Sequence, residues 1–267
     1  MVVPLIKFNN WLKRPFYHAK SEYDLEALHL EPCLAMLSEC QTWEGKTKAR
    51  PPLVSIVIPC WGEKYRLLLP KALESVHNQT YIPIEVDVVT EHHQVAEAMN
   101  EGAKRTNGEY LIFLGADDTL APSYVEKCMA LMKKDVGFVY TGCETHGIEN
   151  QVLLPHKKHF PWSGLTGWGG QIGAALIKRK AFNSIGGFDT TLNGHEDFDL
   201  CLRMMFKGWK CAAVDEPLHY RLVTEDLKRK YKDRVKSLRR KYPVIYGVLL
   251  VLVPYRILKR FFRRLTH

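Results

Sequence analysis

Residues 111–120 read LIFLGADDTL. A short apolar run ends on Gly115, and Asp117 and Asp118 then stand side by side. An apolar run bounded by a turn residue reads as a buried strand. Aspartate is depleted in strands, so the two acids belong to the loop just beyond. Adjacent carboxylates repel each other. Either they decorate a solvated loop or they await a cation.

The flanking sequence favours the second reading. Upstream, LVSIVIP (53–59) is a β-branched run closed by Pro59, and IEVDVVT (84–90) is a second such strand. Between them YRLLLPKALESVHNQ (65–79) reads as a helix, with Leu68, Ala72, Leu73 and Val76 on one face and Pro70 near the first turn. HHQVAEAMNEGAKRT (92–106) is a second helix, closed by the turn NGE, and PSYVEKCMALMKK (122–134) a third. Strands alternating with helices imply an α/β fold with a mostly parallel, doubly wound sheet. Ligands of such sheets bind beyond the carboxyl ends of the strands, where Asp117 and Asp118 fall.

The second half is less regular. FPWSGLTGWGGQIGAALIKRKAF (160–182) is a glycine- and tryptophan-rich loop entering a short apolar strand, not a dinucleotide fingerprint. In SIGGFDTTLNGHEDFDLCLRMMFKGWKC (184–211) a tight turn precedes an acidic cluster and a helix ending near Gly208. Glu196 and Asp197 fall in or before its first turn, where the helix dipole favours negative charge. A carboxylate there can take a proton from a hydroxyl, or merely cap the helix. Asp199 is placed to pair with Arg203, four residues on. The adjacent acids at 117 and 118 suit a hard ion such as Mn²⁺ or Mg²⁺, and no His/Cys spacing suggests zinc.

The chain has 267 residues, 46% hydrophobic and 25% charged, which is ordinary for globular protein. Its seven cysteines form no CxxC pair, which predicts reduced thiols in a cytosolic compartment. The first fourteen residues lack the apolar core of a secretory signal. The net charge of +9 sits at the far end: residues 228–264 hold fourteen lysines and arginines against Asp233 alone.

Three stretches together resemble the family 2 glycosyltransferases of GT-A fold: residues 54–81 (VSIVIPCWGEKYRLLLPKALESVHNQTY), 107–129 (NGEYLIFLGADDTLAPSYVEKCM) and 186–210 (GGFDTTLNGHEDFDLCLRMMFKGWK). The resemblance covers residues 53–225 and implies an inverting transfer of sugar from a nucleotide donor to a hydroxyl acceptor. Carried over, Asp197 is the catalytic base supported by Glu196. Asp117 is a metal ligand with Asp118 nearby, and His219 is a second ligand. Pro59, Cys60 and Trp61 cradle the nucleoside, with Glu91 and Asn100 also on the donor side. Trp168, Gly169 and Gly170 face the acceptor, and Arg221 can approach the diphosphate. Three positions depart from the pattern: Gly115 replaces the first acid of Asp-x-Asp, Glu91 alone follows the second strand, and Met99 precedes Asn100 where arginine is usual. All three imply altered donor recognition. The alternatives are a catalytically silent binding module and a nucleotidyltransferase. PCWGEKYR lacks the glycine-rich basic loop expected of the latter.

Three parts follow: an extension (1–50), the transferase domain (51–226) and a basic tail (227–267). VIYGVLLVLV (244–253) is too short to span a bilayer, which needs about twenty residues. Beyond Pro254, Ile257, Leu258, Phe261, Phe262 and Leu265 share one helical face, and five bases share the other. That pattern predicts a peripheral helix at an anionic, cytoplasmic membrane face through residues 244–265. Its apolar face argues against nucleic acid. A glycan or lipid-linked acceptor suits that location.

Overall fold

The computed structural model describes residues 16–17, 50–155, 172–192, 194–225 and 236–244. Strand β1 (Phe16–Tyr17) precedes β2 (Val54–Pro59), helix α1 (Glu63–His77), β3 (Ile84–Val89), α2 (Val95–Arg105) and β4 (Tyr110–Phe113). Then come β5 (Thr119–Leu120), α3 (Tyr124–Leu131), β6 (Val136–Gly147) and β7 (Gln151–Leu153). The order closes with β8 (Leu176–Lys178), α4 (Arg179–Ser184), α5 (Glu196–Phe206) and β9 (Lys210–Val223). The described strands form one sheet in the order β1-β3-β2-β4-β8-β6-β9-β5, with β7 beside β6.

The first four positions are parallel, as the strand–helix alternation predicts. In β2 the side chains alternate: Val54, Ile56 and Ile58 enter one core and Val57 the other. The first core packs against Ala72 and Val76 of α1 and Tyr124 and Val125 of α3; the second packs against α2, α4 and α5. Helices on both faces explain why VSIVIP reads as a continuous apolar run rather than an alternating one. Burying each such Val, Ile or Phe contributes about 1.5–3 kcal/mol.

The second half mixes directions. β8 runs antiparallel to β4 and β6, while β6 and β9 pair in parallel over almost their whole length. The β6–β9 register shifts between Thr141 and Cys143, so that Cys143 faces His219. Bulges of this kind commonly re-aim side chains near active sites. Antiparallel β5 places Leu120 opposite His219 and ties the loop bearing Asp117 and Asp118 to β9.

Three sequence expectations are adjusted. Pro70 lies in the middle of α1, on an exposed face where water can take the carbonyl left without a donor. The buried face of that helix centres on Leu69 rather than Leu68. β9 carries both His219 and Arg221 within its span. The folded body also reaches past residue 226. Leu238 enters the second core, and Lys241 and Tyr242 meet Asp199. The basic composition of 228–264 hides that one leucine and the acids awaiting it. The extension supplies β1 at the sheet edge; almost all the rest of it and the tail from 245 on lie outside the described residues.

Candidate active site

The loop after β4 turns tightly, with the Asp118 N–H donating to Gly115 O at 3.0 Å. Asp118 is then fixed twice: Oδ2 lies 3.0 Å from His219 Nε2, and Oδ1 accepts the Leu222 N–H at 3.3 Å. His219 is fully buried, and burial alone would lower its pKa. The bond and charge of Asp118, helped by Cys143, outweigh burial and hold it up at about 9. It therefore stands as a protonated donor to Asp118.

Among the described residues Asp117 has no such fixed partner. Burial first, and then the Asp118 charge, push its carboxyl up to about 6, although Arg221 and Lys64 work against the rise. A Cβ built on Gly115 would lie 2.9 Å from Asp117 Oδ1 and 3.2 Å from Asp118 Oδ2. The two carboxylates thus close over the glycine. A third acid at 115 would have to displace them, which is the physical content of the first departure from Asp-x-Asp.

The second acidic cluster arrives from the other side. Asp197, in the first turn of α5, accepts the Phe198 N–H at 2.7 Å through Oδ1. Its Oδ2 lies 3.9 Å from the point that a Cβ on Gly173 would occupy, and His219 Cε1 lies 3.2 Å from the same point. Gly173 therefore leaves the space between the base candidate and the strand-end acids. Arg221 joins them: burial opposes its charge, and Asp118, Asp197 and Asp117 sustain it. Acids about eighty residues apart in sequence thus act on the charge of one guanidinium.

Glu196 does not face this centre through its described bond; Oε1 accepts the Gly194 N–H at 2.7 Å and braces the turn into α5. Pro59 and Cys60 stand at the carboxyl end of β2, with the Cys60 N–H on Val89 O at 2.8 Å, burial raising the thiol pKa, and Trp61 packed on the second core. Glu91 pairs with Arg105 at 3.1 Å. Asn100 gives both ends of its carboxamide to Phe188, as donor to O at 3.0 Å and acceptor from N–H at 2.9 Å. Among the described residues neither Glu91 nor Asn100 is hydrogen-bonded to the acids, and the bonds they make brace α2. Trp168, Gly169 and Gly170 lie outside the described residues.

Among the described residues no cluster of three or more His, Cys, Asp or Glu side chains is arranged to hold a metal. The oxygens converging over Gly115 nevertheless fit an ion that takes one or two protein carboxylates and completes its shell from phosphate and water. In this arrangement Nε2 of His219 is engaged on Asp118. Sequence reasoning passed over Lys64 and Gly173. The lysine stood in PCWGEKYR, where no phosphate motif marked it, and a glycine's role as empty space has no sequence signal.

Comparison with known proteins agrees with this geometry. Residues 88–195 match the family described as Glycosyl transferase family 2. An uncharacterized glycosyltransferase of Haemophilus influenzae is 25% identical over 200 residues, covering 63% of this chain and 67% of the relative. The chondroitin synthase of Escherichia coli is 24% identical over 200 residues, 62% of this chain but only 28% of that longer protein. The amylovoran biosynthesis glycosyltransferase AmsB of Erwinia amylovora is 27% identical over 173 residues, covering 58% and 56% of the two chains. Among solved structures, the mannosyltransferase PcManGT from Pyrobaculum calidifontis, in complex with GDP-Man and Mn²⁺, superposes with a TM-score of 0.52 at 16% identity. That match covers 78% of this chain and 67% of that one. S. aureus TarS 1-349 in complex with UDP gives 0.50 at 13% identity, over 68% and 64%. The fold is that of the GT-A glycosyltransferases. The match to Glycosyl transferase family 2 over residues 88–195 and the similarity to named glycosyltransferases mark the chain as a glycosyltransferase.

Proposed function

We propose that the enzyme moves a sugar, with inversion, from a nucleoside diphosphate donor to a hydroxyl of a glycan or lipid-linked acceptor, with Asp197 as general base. The observation that carries this reading is the convergence of Asp197 and the Asp118–His219 pair on the gap at Gly173, next to the loop bearing Asp117. Asp197 takes the acceptor proton on Oδ2, the oxygen turned toward the gap at Gly173. Its other oxygen is held by the helix amide, which fixes the direction of that lone pair. Asp117 and Asp118 would hold Mn²⁺ or Mg²⁺, which when bound supplies a Lewis acid for the departing diphosphate. Arg221 and Lys64 add positive charge on the donor side, and His219 holds Asp118 in place. The solved relatives carrying UDP or GDP-Man support a nucleotide-sugar donor.

The test is release of nucleoside diphosphate from UDP-GlcNAc and GDP-mannose in the presence of Mn²⁺. Asp197→Asn should bind the accepted donor normally and lose turnover by about 10²–10⁴-fold. Undiminished turnover would contradict the base assignment. The tail, residues 244–265, is proposed to hold the enzyme at an anionic cytoplasmic membrane face. Co-flotation with phosphatidylserine vesicles, lost on deleting 245–267, tests it; equal flotation of both forms would refute it.

A further inference from the structure

Helix α5 carries more than the base. Two residues after Asp197, Asp199 is fully buried, and three donors converge on it. Arg203 Nε of the same helix lies at 2.7 Å, Lys241 Nζ at 2.6 Å and the Tyr242 hydroxyl at 2.5 Å. Lys241 also reaches Asp189 Oδ2 at 2.5 Å. Asp189 in turn accepts the Thr191 N–H at 2.8 Å and the Thr191 hydroxyl at 2.7 Å through Oδ1. The Tyr242 ring stands 6.3 Å from that of Phe206, the last residue of α5. Residues 238–242 therefore grip α5 at both ends, and with it the segment that leads into its first turn.

The grip bears on the base because of how Asp197 is held. Its hydrogen bond among the described residues is to a main-chain amide of its own turn, Phe198 N–H. The aim of its free oxygen therefore follows the backbone of that turn rather than a neighbouring side chain. A fully buried carboxylate is stable only when its lone pairs are met, and losing one partner leaves a charge uncompensated. Asp199 receives two of its three donors from the C-terminal segment. The first turn of α5 thus takes its position from residues more than forty positions downstream. The charged contacts flank the base, at Asp189 before it and Asp199 after it, while the Tyr242 ring steadies the far end of the helix at Phe206.

We propose that Lys241 and Tyr242 are positioning residues for the transfer reaction, fixing the first turn of α5 and so the aim of Asp197. The proposal rests on Asp197 being the base. The test uses the full chain and its Lys241→Met, Lys241→Arg, Tyr242→Phe and Asp197→Asn variants. Amide hydrogen exchange at residues 196–199 and steady-state turnover are followed well below each melting midpoint, with the donor that calorimetry selects. Lys241→Met is expected to speed exchange in the first turn of α5 while β4 stays protected. It should lower kcat on the order of ten-fold or more, since small misplacements of catalytic groups are costly, with the donor KM unchanged. Lys241→Arg should recover most of kcat, and Tyr242→Phe should lose less than Lys241→Met. Unchanged exchange, an unchanged kcat beside an inactive Asp197→Asn, or a kcat loss that follows only the folded fraction would overturn the proposal. An active Asp197→Asn would overturn the base assignment and this proposal with it.

Discussion

Two groups of acids sit within the body of this enzyme, and the chain treats them in opposite ways. At Asp189 and Asp199 the compensating charges are built in. Arg203 and Lys241 lie at hydrogen-bonding distance, and although partial burial pushes the other way, the Lys241 and Thr191 bonds take the Asp189 carboxyl down to about 2. At Asp117 they are not: although His219 meets Asp118, burial and the Asp118 charge leave Asp117 at about 6, with Arg221 and Lys64 only reducing the rise. The first group is complete within the protein and serves the fold. In the second, Asp117 is left short of positive charge, as a site for a cation requires.

This contrast can be broken by mutation. The largest effect is expected at the site, where Asp117→Ala should reduce turnover by 10²-fold or more, the scale of losing one charge-stabilising group, while the melting temperature holds or rises. Asp199→Ala should do the reverse to the fold, costing about 3–5 kcal/mol because Lys241 and Arg203 keep buried charges without a partner. Urea unfolding measures both. Asp199→Ala with an unaltered midpoint would show that the first group is not the structural one.

Asp87 sharpens the comparison as an acid with neither role. It is almost fully buried on β3, its Oδ2 lacks a hydrogen bond among the described residues, and burial lifts its carboxyl to about 6. Folding raises this pKa, so the ionised group is tolerated least once the pH passes through about 6. Asp87→Val should therefore stabilise the protein more at pH 8 than at pH 4, by up to about 3 kcal/mol. Equal effects at the two pH values would contradict the burial account.

The smallest effect concerns Asp189. Its folded pKa is depressed, so its contribution is full above the unfolded value near 4 and fades as the pH falls toward about 2. Acid unfolding followed by circular dichroism should show part of its slope in that window, and Asp189→Asn should remove that part. An unchanged acid limb would rule the contribution out.

The parallel half was legible because its strands are unbroken apolar runs covered on both faces. The two acidic motifs were legible because aspartates beyond a strand, or at a helix start, need a reason. What escaped were contacts across long separations. The Asp118–His219 pair spans 101 positions, and neither residue signals the other. Glu91 and Asn100 carried the right chemistry for a donor site, yet Arg105 and the Phe188 backbone engage them. Lys241 and Tyr242 were lost in a basic run that reads as a tail. Such pairings depend on the β6–β9 register and on the docking of α5, which local pattern does not encode.

The most direct test of the central claim is calorimetric binding of UDP and GDP with and without Mn²⁺, on the native chain and Asp117→Ala. The account predicts that one nucleotide binds the native chain, more tightly with the metal, and that Asp117→Ala removes the metal's contribution. Binding of neither nucleotide, or metal enhancement that survives in Asp117→Ala, would contradict it.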